Sequence, residues 1–468
     1  MQHPERSHAI IRMYAPHEKI YVREVHGRFT RLRWLCVWLT QVVYYGLPWL
    51  TWNGRPAVLF DLAARKFYLF GIVLWPQDFI YLAAMLVLCA CLLFLLSAIA
   101  GRVWCGLACP HTVYTEIFMW IERRIEGNRS ARLRLDKQLM SPAKFARKAA
   151  KHTAWIAVAA WTGITLVAYF TPARVLLHEI AAFDIGPWQA FWMLFYSGFA
   201  YMNAGWMREQ ICQYLCAYAR FQSVMFDRDT LLITYDEQRG EPRGVRRTWR
   251  AGAGPKLGDC IDCKLCVQVC PAGIDIRDGL QFECIDCAAC VDACDGVMDK
   301  VGAPRGLIRY ATENALREGL SLKEVRRRIA RPRVLAYAGI LVTALALTFG
   351  SLAFRTPLKL DVILDRSVMG RVTDDGMVEN VYRLQLMNTD ERAHRFRLSV
   401  SGMDSLQVEP AAGIEAGPAA AQTFAVRVRT VQGRGSPGAN RIKFELTADD
   451  SSSLHLSEPA VFYIPGLQ

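Results

Sequence analysis

The chain has 468 residues, of which 53% are hydrophobic, and a formal net charge of +13. That length allows two or three domains. The apolar residues cluster into near-uncharged runs long enough to cross a bilayer, which argues against a wholly soluble globule. The basic patches flank those runs, so membrane topology explains them and no nucleic-acid partner is expected.

Residues 1–33 carry seven Lys/Arg against three Asp/Glu and contain no apolar stretch. They read as a mobile cytoplasmic tail, with no cleavable signal peptide. Membrane-spanning runs are expected at 34–52, 79–100, 153–170, 188–206 and 334–354. The first two would form a hairpin around an outer loop at 53–78, in which 67–75 is too short to span and is expected to lie at the interface. Pro110 suits the first turn of a helix over 112–126, followed by a basic connector at 127–152. Residues 101–152 hold eleven Lys/Arg and four Asp/Glu, whereas 171–187 has Arg174 against Glu179 and Asp184. The positive-inside rule then places the N-terminus and 101–152 in the cytoplasm. It also places 207–333 there and 355–468 outside, and the basic cluster from Lys323 to Arg333 agrees. Arg208 and Glu209, just past the fourth run, are expected to pair with each other or with headgroups.

Residues 231–258 are rich in Gly, Arg and Pro and read as a linker. Beyond it, eight cysteines form two runs: Cys260, Cys263, Cys266 and Cys270, then Cys284, Cys287, Cys290 and Cys294. The second run repeats the spacing of the first at a constant offset. This is an internal duplication with the spacing of a bacterial ferredoxin that holds two [4Fe–4S] clusters. In such a run the fourth cysteine points at the other cluster. Cys260, Cys263, Cys266 and Cys294 are therefore assigned to one cluster, and Cys284, Cys287, Cys290 and Cys270 to the other. Pro271 turns the chain after the first run, and Asp295 stands at the equivalent place after the second. Zinc pairs usually show two separated CxxC knuckles, a different spacing. A helix near 311–317 should close this domain.

Two further pairs, Cys105-x3-Cys109 and Cys212-x3-Cys216, each follow a membrane run. On a helix, an i, i+4 pair places both sulfurs on one face. Four thiols could converge at the membrane surface, where soft thiolates would select Cu(I) or hold a further iron–sulfur centre. His111 and His152 lie on the same side but read as polar interface residues. Cys36, Cys89 and Cys91 read as small packing residues. Beyond residue 355, alternating runs at 358–364, 381–387, 396–400, 424–428, 442–446 and 460–464 suggest an immunoglobulin-type β-sandwich. It holds no cysteine and no catalytic constellation, and reads as a partner-binding or scaffolding module.

The expected architecture is an α-helical polytopic membrane protein with about five transmembrane helices. It carries a cytoplasmic dicluster ferredoxin-like domain and a C-terminal immunoglobulin-like β-sandwich. Its parts are a tail (1–33), a four-helix membrane domain (34–230), the ferredoxin-like domain (231–333), a fifth helix (334–354) and a periplasmic domain (355–468).

The motifs together resemble the CcoG/FixG/RdxA family, accessory proteins of cbb3-type cytochrome c oxidase. The likeness rests on the two cysteine runs with Pro271, the stretches from Gly273 to Arg277 and Gly279 to Gln281, and Cys290 through Met298. It continues in Pro304 to Tyr310, in Trp104-Cys-Gly-Leu-Ala-Cys-Pro110, and in Cys212-x3-Cys216. Ala217 follows Cys216 where Pro110 follows Cys109. The resemblance implies a cupric reductase of the bacterial inner membrane, turning Cu(II) into Cu(I) on the cytoplasmic side. Copper would pass to a chaperone or exporter and to oxidase assembly factors. Cys105, Cys109, Cys212 and Cys216 would be its catalytic, copper-holding residues. The sequence names no electron donor and leaves self-association open. Two rivals stand beside this reading: a quinol-linked membrane ferredoxin subunit, and a non-enzymatic assembly scaffold.

Overall fold

The computed structural model describes residues 19–244, 257–320, 322–356, 358–389, 392–409, 413–449 and 455–466. Part of the expected tail (1–18) and of the expected linker (245–256) lies outside the described residues. The chain divides into two compact units. The first comprises Met1–Gly46, Val87–Val167 and Asp184–Val342; the second comprises Leu47–Leu86, Ala168–Phe183 and Thr343–Gln468.

In the first unit, the described part of the tail is tied down rather than mobile. Tyr21 OH donates to Asp136 at 2.7 Å, and Arg23 N donates to the Gln268 carbonyl at 2.8 Å. The helix Arg28–Gly46 starts inside the expected tail because Asp292 caps it from a distant part of the chain. Its carboxylate accepts from Phe29 N (3.1 Å), Thr30 N (2.7 Å) and Thr30 Oγ1 (2.8 Å), satisfying donors that every helix start leaves open. The helix stops at Gly46, and Pro48 follows in a 3₁₀ turn, so the expected run to 52 is shortened.

The connector 127–152 is also helical, through Arg129–Lys137 and the first turns of Pro142–Val167. Its basic residues answer buried acids. Glu122, fully buried, meets Arg132 at 3.3 Å and Arg208 at 2.9 Å, while Glu126 meets Lys148 at 3.0 Å and Lys151 at 3.1 Å. Arg208 thus pairs with Glu122 on the helix Pro110–Glu126. Charges this deep must be paired, which is why the loop's charge excess reports packing as well as topology. Pro142–Val167 packs on Pro187–Tyr201 at Gly163, where an added Cβ would stand 2.5 Å from the Met193 carbonyl oxygen.

The cysteine-rich part of this unit is built around the helices Leu265–Gln268 and Ala289–Val301. A two-stranded sheet pairs Leu232–Tyr235 with Ile308–Ala311. The expected linker therefore contributes a strand: its Ile233 and Tyr235 side chains are buried against the same core as Val269, Ile276 and Met298. The helix Glu313–Glu318 lies where a closing helix was expected.

In the second unit, the expected interfacial stretch 67–75 lies largely in two strands. Val58–Asp61, Lys66–Leu69 and Ile72–Leu74 make an antiparallel sheet in which Phe60 faces Phe67. Turns at Arg65 and Phe70, both with positive φ, close the hairpins. The C-terminal part is a sandwich of two antiparallel sheets. One runs Gln407–Glu409, Ala421–Val431, Met377–Asn388, Leu358–Leu364, with Arg371–Val372 also on Met377–Asn388. The other runs Ile414–Ala416, His394–Ser401, Gly438–Ala448, His455–Ile464. Alternation sends Ile442, Phe444 and Leu446 inward to meet Tyr382 and Phe462, with the Tyr382 and Phe444 rings 5.0 Å apart.

Among the described residues, two helices are long and apolar enough to cross a membrane: Pro76–Ala100 and Pro332–Ala353. Almost none of their most apolar stretch is covered by protein.

Candidate redox centre

The duplication read from the cysteine spacing is written into the backbone. Asp262 and Lys264 take positive φ of 52° and 54°; their counterparts in the second run, Asp286 and Ala288, take 53° and 58°. Left-handed residues are uncommon outside glycine. Two pairs at matching positions mean that each Cys-x2-Cys-x2-Cys run wraps in the same tight loop before entering its helix. Such a loop turns successive thiols toward one centre.

The structure collects the eight cysteines into two small cavities. Cys260, Cys263, Cys266 and Cys294 line one, with Leu265, Val297 and Leu307. Cys270, Cys284, Cys287 and Cys290 line the other, with Cys266, Ile233 and Ile285. Cys266, expected in the first set, lines both cavities. Burial pushes the Cys294 thiol up to about 12, helped by the neighbouring Cys266, Cys260 and Cys263. Burial also pushes Cys266 and Cys270 to about 11, and Cys284 and Cys290 well above the ordinary range. Among the described residues, no three His, Cys, Asp or Glu side chains close around a single metal ion. Each cavity is small, about 20 Å³, and lined by at least four thiols; two duplicated runs of closely spaced cysteines are the donor set of iron–sulfur groups rather than of separated zinc knuckles.

Charged and polar neighbours touch the thiols. Arg33, 7% exposed, stands beside Cys287, and Tyr235 stands beside Cys260. Arg277 stands near Cys266 and is held by Asp275 and Asp262, each at 2.6 Å. Donors and cations beside the sulfurs are what set the potential of such centres. Sequence spacing gave no hint of Arg33, which arrives from the helix Arg28–Gly46, far ahead of either cysteine run in the chain.

The two CxxxC pairs differ from the expected continuous helix. Cys105 sits in the short helix Val103–Leu107, and Cys109 is the residue that starts Pro110–Glu126. Cys212 sits in a π-helical turn, Ile211–Leu215, and Cys216 starts Ala217–Met225. Each pair thus bridges a break between helices. A second π-helical stretch, Met202–Met207, precedes Arg208, whose φ of 35° breaks the chain direction. Such irregular helix turns occur frequently at functional sites. The two pairs lie near enough to influence one another, although among the described residues no three of these thiols form a group that could hold a metal ion. Burial pushes Cys105 up to about 12, with Cys109, Cys212 and Cys216 adding to it; burial, Cys109 and Cys216 do the same for Cys212. His111 lies beside them but gives its Nε2 to the Arg208 carbonyl at 2.8 Å, and His152 bonds Tyr201 OH at 2.9 Å.

The first CxxxC pair is pressed against the second cysteine cavity. A Cβ on Gly106 would fall 2.6 Å from the Ile285 carbonyl oxygen and 2.9 Å from that of Asp286. Arg102, 2% exposed, donates from its backbone to Asp286 at 2.8 Å and from its guanidinium to the Phe282 and Ala219 carbonyls. Asp286 Oδ1 also accepts from Ile233 N at 3.3 Å. The result is a rigid joint between residues 102–106 and the segment bearing Cys284 and Cys287.

Comparison with known proteins bears on both parts. Residues 207–313 match the family described as a 4Fe-4S dicluster domain, and residues 82–128 match one described as a 4Fe-4S binding domain. Residues 348–465 match an IG-like fold at the C-terminal of FixG. The Nitrogen fixation protein FixG of Rhizobium meliloti is 39% identical over 84% of this chain and 80% of its own length. Protein RdxA of Cereibacter sphaeroides is 40% identical over 91% of this chain and 92% of its own. Protein RdxB of the same organism is 38% identical over 93% of each.

Proposed function

Because the chain belongs to the FixG/RdxA family of iron–sulfur proteins, we propose that it is a membrane-bound cupric reductase serving the assembly of a cbb3-type oxidase. Cys260, Cys263, Cys266 and Cys294 hold one [4Fe–4S] cluster, and Cys270, Cys284, Cys287 and Cys290 hold the other. Bound clusters of this kind store and pass single electrons. The chain's own residues fix where that electron can go. The joint of Arg102, Gly106 and Asp286 carries the reading, because it sets the first CxxxC pair directly against a cluster-bearing segment.

The substrate is Cu(II), which takes one electron and leaves as Cu(I). Cys105, Cys109, Cys212 and Cys216 favour the product, because thiolates are soft ligands. Such a site must then release its ion to a chaperone or exporter. The five apolar helices cross the inner membrane, with the clusters on the cytoplasmic side and the sandwich in the periplasm. The outward apolar faces of Arg28–Gly46 and Pro187–Tyr201 add two candidate spans to the two long apolar helices; Pro187–Tyr201 has no fully buried residue.

A double Cys105→Ser/Cys109→Ser variant should retain the clusters by EPR after dithionite and lose at least tenfold in Cu(I) production. An unchanged rate would remove copper from these thiols. A second reading is favoured by the 4Fe-4S match over residues 82–128: the four thiols hold a third cluster. Iron content separates the two, at about eight atoms per chain for two clusters and about twelve for three.

A further inference from the structure

We propose that the cavity beside the helix Arg28–Gly46 is where electrons enter, and that it binds a membrane-borne hydroquinone. This rests on the cluster reading above and names the donor that reading leaves open. The cavity is about 750 Å³, the size of an organic ligand site. Its floor is Val269, Pro271 and Ala289, which directly precede or follow Cys270 and Cys290. Its inner wall holds Arg33, which stands beside Cys287. A molecule in this cavity therefore lies against the lining of the second cysteine cavity.

The walls specify an aromatic, amphipathic guest. Trp34, Trp38 and Trp120 line the space, and the Trp34 and Trp120 rings meet edge-on at 6.4 Å. Flat indoles offer stacking faces to a flat ring. Leu35 and Trp38 carry the lining out onto the helix's exposed apolar face, continued by Leu39 and Val42. An apolar tail can follow that face while the ring sits inside.

The polar end calls for oxygen acceptors. Arg33 and Arg123 both line the cavity, and both bind Glu116, at 3.4 Å and 3.1 Å. That carboxylate takes up part of their charge, while Arg23 and Arg31 also line the space; the indoles and the apolar face, rather than charge, favour a flat ring over a phosphate headgroup. Yet Arg33 Nε and Arg123 Nε are buried and find no hydrogen-bond partner among the described residues. Buried donors left open cost free energy unless a ligand or water fills them. Both guanidiniums line the cavity, and the ring oxygens of a quinone or hydroquinone are acceptors for them. In the reaction, two O–H bonds break and hydroquinone becomes quinone. Two electrons pass singly to the two iron–sulfur clusters. Two protons leave to water at the mouth, where the His26 side chain is 86% exposed.

The test uses the full chain, purified without oxygen in lipid nanodiscs. Decylubiquinol should generate the reduced-cluster EPR signal, and a photoreactive azidoquinone should label residues 22–38 or 116–123, in competition with decylubiquinol. Trp38→Ala should slow quinol-driven reduction at least tenfold, while dithionite still produces the full EPR signal. Two results would each overturn the proposal. One is clusters that dithionite reduces but decylubiquinol does not; the other is label that falls elsewhere or is displaced only by phospholipid. If dithionite itself gave no cluster signal, the underlying reading would fail instead, and the labelling pattern would still decide whether the quinone binds here.

Discussion

Single residues decide how close two redox segments can come. Gly106 has no side chain where a methyl group would meet backbone carbonyls at 2.6 and 2.9 Å. Backbone yields less readily than a side chain, so Gly106→Ala should cost about 1–3 kcal/mol of stability. Gly198 is a control, since nothing lies within 4 Å of its would-be Cβ. Gly198→Ala, inside a helix, should be neutral or stabilise by up to about 1 kcal/mol. Thermal unfolding of the two variants in one detergent checks the contrast; equal losses would mean that the 102–106 joint is not tightly packed. At this scale the sequence is legible where covalent spacing dictates chemistry. The division of the eight cysteines into two sets of four follows from the ferredoxin crossing. The CxxxC pairs read wrongly as continuous helix, because i, i+4 spacing is shared by a helix and by a turn between two helices. Pro110 marks the break at Cys109, whereas Ala217 carries no such signal at Cys216. Arg33 is invisible in the sequence, because a contact between segments so far apart in the chain leaves no local pattern.

Elements are held together here by charge that the chain's linear order hides. Asp136, on the helix Arg129–Lys137, meets Lys148 at 2.6 Å, Lys19 at 2.8 Å and Tyr21 at 2.7 Å, fastening the N-terminal segment to two helices. Burial opposes its ionisation. The hydrogen bonds from Lys148, Lys19 and Tyr21 outweigh burial and hold its carboxyl well below the usual range. A carboxyl with a depressed folded pKa contributes stability above its unfolded value, near 3.8, and that contribution fades as pH falls below it. Asp136→Asn should therefore lower stability at pH 7 by about 1–2 kcal/mol, discounted for partial exposure. It should also flatten the acid limb of the stability profile below pH 4. An unchanged acid limb would show that Asp136 is not a clamp. The same logic explains which elements could be read in advance. The sandwich strands announce themselves by alternation, since a two-sheet core demands period two. The tail, connector and linker look polar because their partners lie far along the chain: Asp292 caps Arg28–Gly46, Glu126 answers Lys148 and Lys151, and Ile308–Ala311 pairs Leu232–Tyr235.

For the whole molecule, the account rests on iron and sulfide being held by the two doubled cysteine loops. Matching left-handed backbones at Asp262 and Asp286, two thiol-lined cavities, and the dicluster family match all bear on that one point. Copper reduction, hydroquinone oxidation and the role of the CxxxC pairs each depend on it. The direct measurement is iron and acid-labile sulfide in protein purified without oxygen, with EPR after dithionite, compared with a Cys266→Ser/Cys290→Ser variant. The account predicts about eight iron and eight sulfide per chain, or about twelve of each if the CxxxC thiols hold a cluster, and a sharp loss in the variant. Protein that carries zinc, or no acid-labile sulfide, while remaining folded would contradict it.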